Sequence, residues 1–170
     1  MDIVTTDIQT LTFIQGHDQF EHASKRGFWK NLFLRAVGRE IQLDNLNEVI
    51  GQQKVVRTCN LQVQDVDISS INGSVDRSHD FTRDFAPTAT NQEVRDRWRT
   101  VYGLAVLGKG FPPVELYKIG DRYFVKDGHH RISVTAHLGW STIQAQVTEL
   151  VLECATSKLN RTKGVKLCAL

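Results

Sequence analysis

The sequence predicts an α+β fold, in which a small mixed β-sheet with flanking helices is preceded by a helical N-terminal arm. Some apolar residues alternate with polar ones, as in strands, and others recur at three-to-four spacing, as in helices. From residue 54 these patterns run in the order strand, loop, helix, strand, strand, helix, strand. The 170 residues have room for one domain and an arm.

The predicted arm spans residues 1–53. Residues 1–16 fit an extended or a helical lead, and residues 20–38 favour a helix that Gly38 would end. A second short helix is predicted over 44–53. The apolar side chains at one face of the first helix are Trp29, Leu32, Phe33, Ala36 and Val37. We expect this face to pack on the chain's own domain, with a second subunit or a membrane surface as alternatives.

The domain proper is predicted to span 54–150. Its first apolar alternation slips by one residue after Val63, which indicates a strand with a bulge or two short strands. The following segment, residues 72–87, is polar, charged and glycine-containing, and it predicts a loop.

A T-x-x-E capping box, formed by Thr90 and Glu93, predicts the start of a helix over 91–107. The apolar face of this helix is expected to comprise Val94, Trp98, Val101 and Ala105. Its arginines are expected to point elsewhere, and they are Arg95, Arg97 and Arg99.

The rest of the domain predicts a β-hairpin, a helix and a strand. Gly120 and Asp121 form a two-residue turn between alternating runs, as in hairpins. A helix of about ten residues follows the polar string at 127–131, and residues 143–147 alternate as a half-buried strand. Residues 151–170 are expected to form a tail.

Bulk composition narrows the function classes. The net charge of +2 is too small to indicate nucleic-acid binding by itself. The three cysteines, Cys59, Cys154 and Cys168, are widely spaced and include no CxxC, so we expect neither a disulfide nor a zinc site. Reduced thiols, no basic n-region and no long apolar run predict a cytoplasmic protein without integral membrane association.

The string D-G-H-H-R, residues 127–131, combines groups that suit a phosphate site. A helix N-terminus offers unpaired N–H groups and a positive dipole end. Gly128 would let a ligand approach the backbone, and Arg131 could grip a phosphate. His129 and His130 could donate hydrogen bonds or move protons. Asp127 could cap the helix, hold Mg²⁺ or orient a histidine. A plain helix cap with surface histidines is the competing interpretation.

The segment 113–149, with its D-G-H-H-R string, resembles the superfamily shared by the ParB N-terminal domain and sulfiredoxin. The free serine kinases of this fold carry D-G-H-T-R, and this chain differs from that string only at His130, which replaces the threonine. Sulfiredoxins carry G-C-H-R, and His129 stands where their nucleophilic cysteine lies, so sulfinic-acid reduction is not expected. ParB proteins carry G-E-R-R, of which Gly128 and Arg131 match. The resemblance covers about residues 61–150.

The resemblance implies that nucleotide phosphates bind at the start of this helix and that residues 72–81 face the same nucleotide. The implied ligand is a nucleoside triphosphate, ATP or CTP, with Mg²⁺, and the implied reaction is hydrolysis or phosphoryl transfer. Asp127 with Asp76 or Asp80 could hold the metal or act as base, and Arg77 could stabilise developing charge, with His79 as a further candidate. The predicted catalytic residues are Asp127, His129 and Asp80. The predicted phosphate-binding residues are Gly128, His129, His130, Arg131 and Arg77, and the predicted metal ligand is Asp127.

Two other functions stay open. A DNA-binding ParB-like regulator or a metal-dependent nuclease would use the basic residues of 20–39 and 95–99, and the nuclease would need Asp127, His129, His79 and Asp80 to converge on a cation. A catalytically inactive domain could instead sense a nucleotide and pass the signal to a partner, including a second copy in a homodimer.

Overall fold

The computed structural model describes residues 3–38, 42–88 and 91–153. The α-helices of these segments are α1 (Ile3–Ala36), α2 (Leu46–Ile50), α3 (Gln92–Val106) and α4 (His129–His137). The strands are β1 (Asp44–Asn45), β2 (Val55–Asp67), β3 (Ile71–Ser74), β4 (Val114–Ile119), β5 (Arg122–Asp127) and β6 (Thr142–Leu152). A 3₁₀ turn over Ile68–Ser70 joins β2 to β3.

The strands form one mixed sheet in the order β1-β3-β5-β4-β6-β2. Neighbours β1/β3, β3/β5 and β4/β6 are parallel, and β4/β5 and β2/β6 are antiparallel. This arrangement, with helices α3 and α4 and the long α1, confirms the predicted α+β class. Strand β1, which lies in the predicted arm, pairs with β3 at the sheet edge.

Several local predictions are confirmed. The two-residue turn at Gly120 joins β4 to β5, and Ile119 pairs with Arg122 across it. The first alternating run is one strand with a bulge, as predicted, but the β2/β6 register shifts between Asn60 and Val63, before the predicted slip. The lead before residue 16 is helical from Ile3, so it continues into the predicted helix as one 34-residue element.

Three helices, α1, α3 and α4, meet beside the sheet at a small aromatic cluster. Trp98 of α3 is fully buried and meets Phe20 of α1 edge-on, with ring centroids 5.6 Å apart. Its indole Nε1 donates a hydrogen bond of 3.0 Å to Ser133 Oγ of α4. A buried indole N–H needs a hydrogen-bond partner, and this bond fixes α3 against α4, whereas the ring contact with Phe20 holds α3 against α1.

Strand β3 corrects the prediction of a loop over 72–87. Residues 72–74 belong to an interior strand, where a Cβ on Gly73 would lie 2.4 Å from Phe124 Cδ1 and 2.5 Å from Asp44 O. Glycine is therefore required by the close approach of two neighbouring strands, whereas its polar sequence context is typical of a turn.

Helix α3 departs from prediction at its start and on its arginine face. Asn91 is the N-cap, and its side chain accepts a hydrogen bond of 2.9 Å from Val94 N. The predicted cap Thr90 lies outside the described residues. Arg99 is only 9% exposed, so the expectation that it points away from the buried face is wrong. Tyr102, stacked on Trp98 at 5.5 Å, widens that face.

The predicted packing of the apolar face of α1 on the domain is also wrong. Trp29 and Phe33 are 66% and 67% exposed, and Leu32 and Val37 are exposed as well. The helix instead contacts α3 through Phe20, which is buried and lies about two and a half turns before Trp29.

Cys59 corrects the expectation of reduced thiols. It lies in β2 opposite Glu149 of β6, is 7% exposed and is disulfide-bonded. Its partner lies outside the described residues, as do Cys154, Cys168 and most of the predicted tail, 154–170. Sequence spacing alone does not show whether a cysteine is bonded or free.

We predict that Gly73→Ala lowers the free energy of unfolding by about 3 kcal/mol, because the new methyl group would overlap Phe124 and a strand carbonyl. Gly103→Ala is the matched control. A Cβ there has no heavy atom within 4 Å, and a helix-interior glycine replaced by alanine should gain ~0.5–1 kcal/mol. Urea unfolding of both variants measures the difference, and equal stability of the two would contradict the strand assignment of β3.

Candidate functional site

The site lies where two parallel strands end. Strands β3 and β5 are parallel neighbours, with Ser74 opposite Val125, so their carboxyl ends share one edge of the sheet. The segment after Ser74 and the start of α4 after Asp127 therefore meet there. Ligands of sheet proteins commonly bind outside the carboxyl ends of parallel strands.

Gly128 makes the turn from β5 into α4. It is the N-cap, with φ of 104°, and it supplies no side-chain cap. A Cβ at this position would lie 2.5 Å from Val114 Cγ1. The sequence predicted that the missing side chain of Gly128 leaves space for a ligand. In the structure the Val114 side chain lies in the position that a Cβ would take. The missing side-chain cap leaves the first-turn N–H groups of α4 as donors for an anion.

His129 joins β3 to α4. Its Nε2 lies 2.7 Å from Ser74 Oγ, which also accepts a hydrogen bond of 3.0 Å from Arg77 N. The imidazole is 6% exposed and stacks on Phe81, with ring centroids 5.8 Å apart. Burial, followed by the positive charge of Arg77 and by His130, lowers the pKa of His129 from 6.5 to about 4.

His130 meets the same phenylalanine from another direction. Its ring lies edge-on to Phe81 at 5.5 Å, and its Nε2 is buried with no hydrogen-bond partner among the described residues. Burial, then the charges of Arg77 and Arg97, lower the pKa of His130 from 6.5 to about 4. Both imidazoles are thus neutral at pH 7, and that of His130 has no competing polar contact at Nε2.

A cleft of about 620 Å³ opens between α3 and the β5–α4 junction. This volume suits a small organic ligand. Four basic and three acidic side chains line it, together with two histidines, Thr100, Val101 and Gly128. The basic side chains are Arg77, Arg97, Lys126 and Arg131, and the acidic ones are Asp76, Asp96 and Asp127.

Arg131 lines the cleft but already has local partners. Its Nη1 donates hydrogen bonds of 2.8 Å to the carbonyl oxygens of Pro112 and Pro113, just before β4. Its Nη2 donates to the Asp127 carboxylate, which is otherwise exposed. The guanidinium therefore fastens α4 to the start of β4, and a phosphate would have to share it with these groups.

Asp80 and His79, two candidates from the loop, are not among the residues that line the cleft. Asp80 lies 4.0 Å from Arg77 Nη1. His79 is exposed, and its carbonyl accepts a hydrogen bond from Thr88 Oγ1. Across residues 3–38, 42–88 and 91–153, no three His, Cys, Asp or Glu side chains come together as a cation cluster, so the convergence expected for a metal nuclease is not seen there.

The arginines that suggested DNA binding are largely engaged inside the molecule. Arg95 pairs with Glu21 of α1 at 3.2 Å and lies over the Phe20 ring, and Arg99 is buried beside Asp96. Arg97 instead faces the cleft, on the side of α3 opposite to the contact with α1. These residues do not form a continuous basic surface.

Sequence reasoning missed Arg97 and Lys126, and it did not single out Ser74 or Phe81 within the segment 72–81 that was expected to face the ligand. Ser74 and Phe81 lie in a segment that predicted a loop, and neither belongs to the D-G-H-H-R string. Helical spacing places Arg97 on the polar face of α3, but it does not show that this face borders a cleft. Lys126 had a weak signal, since it directly precedes Asp127 at the end of an alternating strand.

Comparisons with known proteins give little further information. No protein-family model and no curated protein matches the chain. Among solved structures, a crystal structure of sulfiredoxin from Arabidopsis thaliana is similar at 15% sequence identity and a TM-score of 0.36. The match covers 51% of this chain and 84% of that one.

Proposed function

We propose that the cleft binds a nucleoside triphosphate through its phosphates and that the protein hydrolyses it or transfers its terminal phosphoryl group. The observation that carries the proposal is the convergence of basic side chains on an uncapped helix N-terminus beside two neutral imidazoles, of which that of His129 is buried and that of His130 is half-buried. Backbone donors, a helix dipole and guanidinium groups are the elements that hold phosphates in proteins.

The basic side chains can change partners at little cost. Arg97 pairs with Glu93, and Lys126 with Glu115, and in both pairs the two side chains are about half exposed or more. Exposed ion pairs contribute roughly 0–1 kcal/mol each. A polyphosphate with several negative charges would therefore compete well for Arg97 and Lys126, while Arg131 keeps α4 in place.

His130 is the better candidate for proton transfer. A general base has to be unprotonated, and both imidazoles meet this condition near pH 7, but only His130 has an Nε2 without a hydrogen-bond partner among the described residues. In the proposed step the oxygen of water or of an acceptor hydroxyl forms a bond to the terminal phosphorus, and its proton passes to His130. The bond from that phosphorus to the bridging oxygen breaks, and the nucleoside diphosphate leaves with the electron pair. His129, held by Ser74 and Phe81, positions the start of α4.

Asp127 and Asp76 are the carboxylates of the cleft that could hold Mg²⁺ together with the phosphates. Magnesium commonly binds through one or two carboxylates plus substrate oxygens, so a full cluster of protein ligands is not required. When bound, it would neutralise charge on the transferred group. Asp127 would then share its carboxylate between the metal and Arg131.

Titration calorimetry with ATP, CTP, GTP and ADP, each with and without Mg²⁺, tests binding. We expect a micromolar dissociation constant, about 8 kcal/mol, for at least one triphosphate. Arg97→Ala should weaken it about tenfold, because a charge-assisted hydrogen bond is lost. Arg57→Ala, at an exposed position of β2 outside the cleft, is the matched control and should leave affinity unchanged. Equal affinity of both variants, or no binding of any nucleotide, would sink the phosphate assignment.

Phosphate release under single-turnover conditions tests the chemistry. We expect His130→Ala to lower the rate about 100-fold while nucleotide affinity changes less than about threefold, since a general base acts on turnover more than on binding. A domain that only senses nucleotide would bind it in the same titrations and release no phosphate. An unchanged rate in a folded His130→Ala variant would remove this residue from the mechanism.

Protonation of the buried histidines should make stability fall in acid. Their folded pKa lies below the unfolded value of 6.5, so the unfolded chain binds more protons between about pH 6.5 and about pH 4. The free energy of unfolding should therefore drop as pH falls from about 6.5 to about 4, by up to about 1.4 kcal/mol per pH unit for each histidine. Urea unfolding should show a shallower slope in His130→Asn and the wild-type slope in His79→Asn, whose side chain is exposed. If the free energy of unfolding depended on pH with the same slope in the wild type and in both variants, the proposed desolvation of the His130 imidazole would be contradicted.

A further inference from the structure

The outer face of α1 exposes large apolar side chains within ten residues of the chain. Their exposed fractions are 63% for Phe28, 66% for Trp29, 52% for Leu32, 67% for Phe33 and 57% for Val37. Monomeric soluble domains seldom leave so many neighbouring aromatic and aliphatic side chains in water, and such patches commonly mark an interaction surface.

The fold determines which face of α1 stays free. Phe20 and Ala23 are buried against α3, and a Cβ on Gly27 would lie 2.8 Å from Ala86 Cβ. These three residues share one side of the helix at three-to-four spacing, and Trp29 and Phe33 lie on the opposite side. Because α1 and the domain are in close contact at Gly27, the helix cannot rotate about its axis to bury its aromatic residues on the domain.

Basic residues accompany this face. Between His22 and Gly38 the helix carries four basic side chains and no acidic one, and the basic ones are Lys25, Arg26, Lys30 and Arg35. Lys30 is bound to Asp84 of the domain, which leaves Lys25, Arg26 and Arg35 as exposed cations along the patch. Tryptophan, phenylalanine and leucine together with lysine and arginine are typical of helices that lie in a membrane interface.

We propose that this face of α1 docks onto an anionic lipid bilayer, with the helix lying in the plane of the surface. Phe28, Trp29, Leu32, Phe33 and Val37 enter the boundary between headgroups and acyl chains, and the basic side chains contact lipid phosphates and carboxylates. No helix among the described residues is long and apolar enough to cross a membrane.

Charge complementarity selects this occupant over protein alternatives from the same chain. A second copy docked through the same face would bring Lys25, Arg26 and Arg35 of both copies together without an acidic residue from either segment. Residues 154–170 also contain four basic residues and no acidic one, so they would be repelled from the patch. An anionic bilayer satisfies the apolar and the basic parts of the surface together. The proposal does not depend on nucleotide binding in the cleft.

The test is sedimentation of the full chain with vesicles of phosphatidylcholine alone and of three parts phosphatidylcholine to one part phosphatidylserine. We expect at least tenfold stronger partitioning onto the anionic vesicles, because each basic side chain near such a surface contributes roughly a fivefold factor. High salt should reduce the difference. In a Trp140→Phe background, the fluorescence of Trp29 should shift to shorter wavelength with anionic vesicles, while the fully buried Trp98 should not respond.

The double variant Trp29→Gln and Phe33→Gln should lose at least tenfold in partitioning. It should keep its unfolding transition, since both side chains are about two-thirds exposed. Trp140→Gln is the matched control, because Trp140 is 49% exposed outside α1, and it should bind vesicles like the wild type. Three results would overturn the proposal: equal partitioning onto both vesicles, unchanged binding of the double variant, or a lipid-free dimer in sedimentation velocity that the double variant dissociates.

Discussion

The parallel pairing of β3 with β5 is the constraint on which the site depends. Gly73 allows β3 to lie under Phe124, with no space for a methyl group between them. This close approach brings Ser74 to the same sheet edge as the end of β5. From there, Ser74 can reach His129 and also accept the Arg77 N–H. One glycine in the sheet therefore determines where an imidazole and a guanidinium stand relative to a helix N-terminus.

Desolvation then gives this edge its chemical character. Phe81 contacts both histidines, one by stacking and one edge-on, and so removes water from their rings. The arginines that would attract phosphates also oppose protonation of the imidazoles. The histidines of the cleft are therefore neutral for two reasons, burial and nearby like charge. The cleft can therefore attract an anion through its arginines and still contain an unprotonated base. Exposed histidines beside an anion would be protonated more readily.

The sequence predicts the parts that depend on local patterns and misses those that depend on distant contacts. Alternation and turn chemistry are sufficient for the β4–β5 hairpin, and helical spacing is sufficient for Trp98. Strand β3 has only four residues and an Asn-Gly-Ser sequence, so no local pattern distinguishes it from a loop. The D-G-H-H-R string is visible as a candidate site, but the contact of Gly128 with Val114 and the engagement of Arg131 by two proline carbonyls arise only from folding.

In helix α1 the local pattern is clear, but the prediction drawn from it is wrong because distant contacts determine which face is buried. Its apolar spacing is clear in the sequence, and the usual inference from such spacing is a buried face. The helix has two apolar sides, however, and the domain offers a complementary surface to only one of them, through Phe20 and Ala23. Once Gly27 is seated against Ala86, the aromatic residues that follow have to point outward. The packing of the domain therefore leaves an apolar face with basic neighbours exposed. Exposure of these apolar side chains to water is unfavourable, and this free energy favours their transfer into a lipid surface.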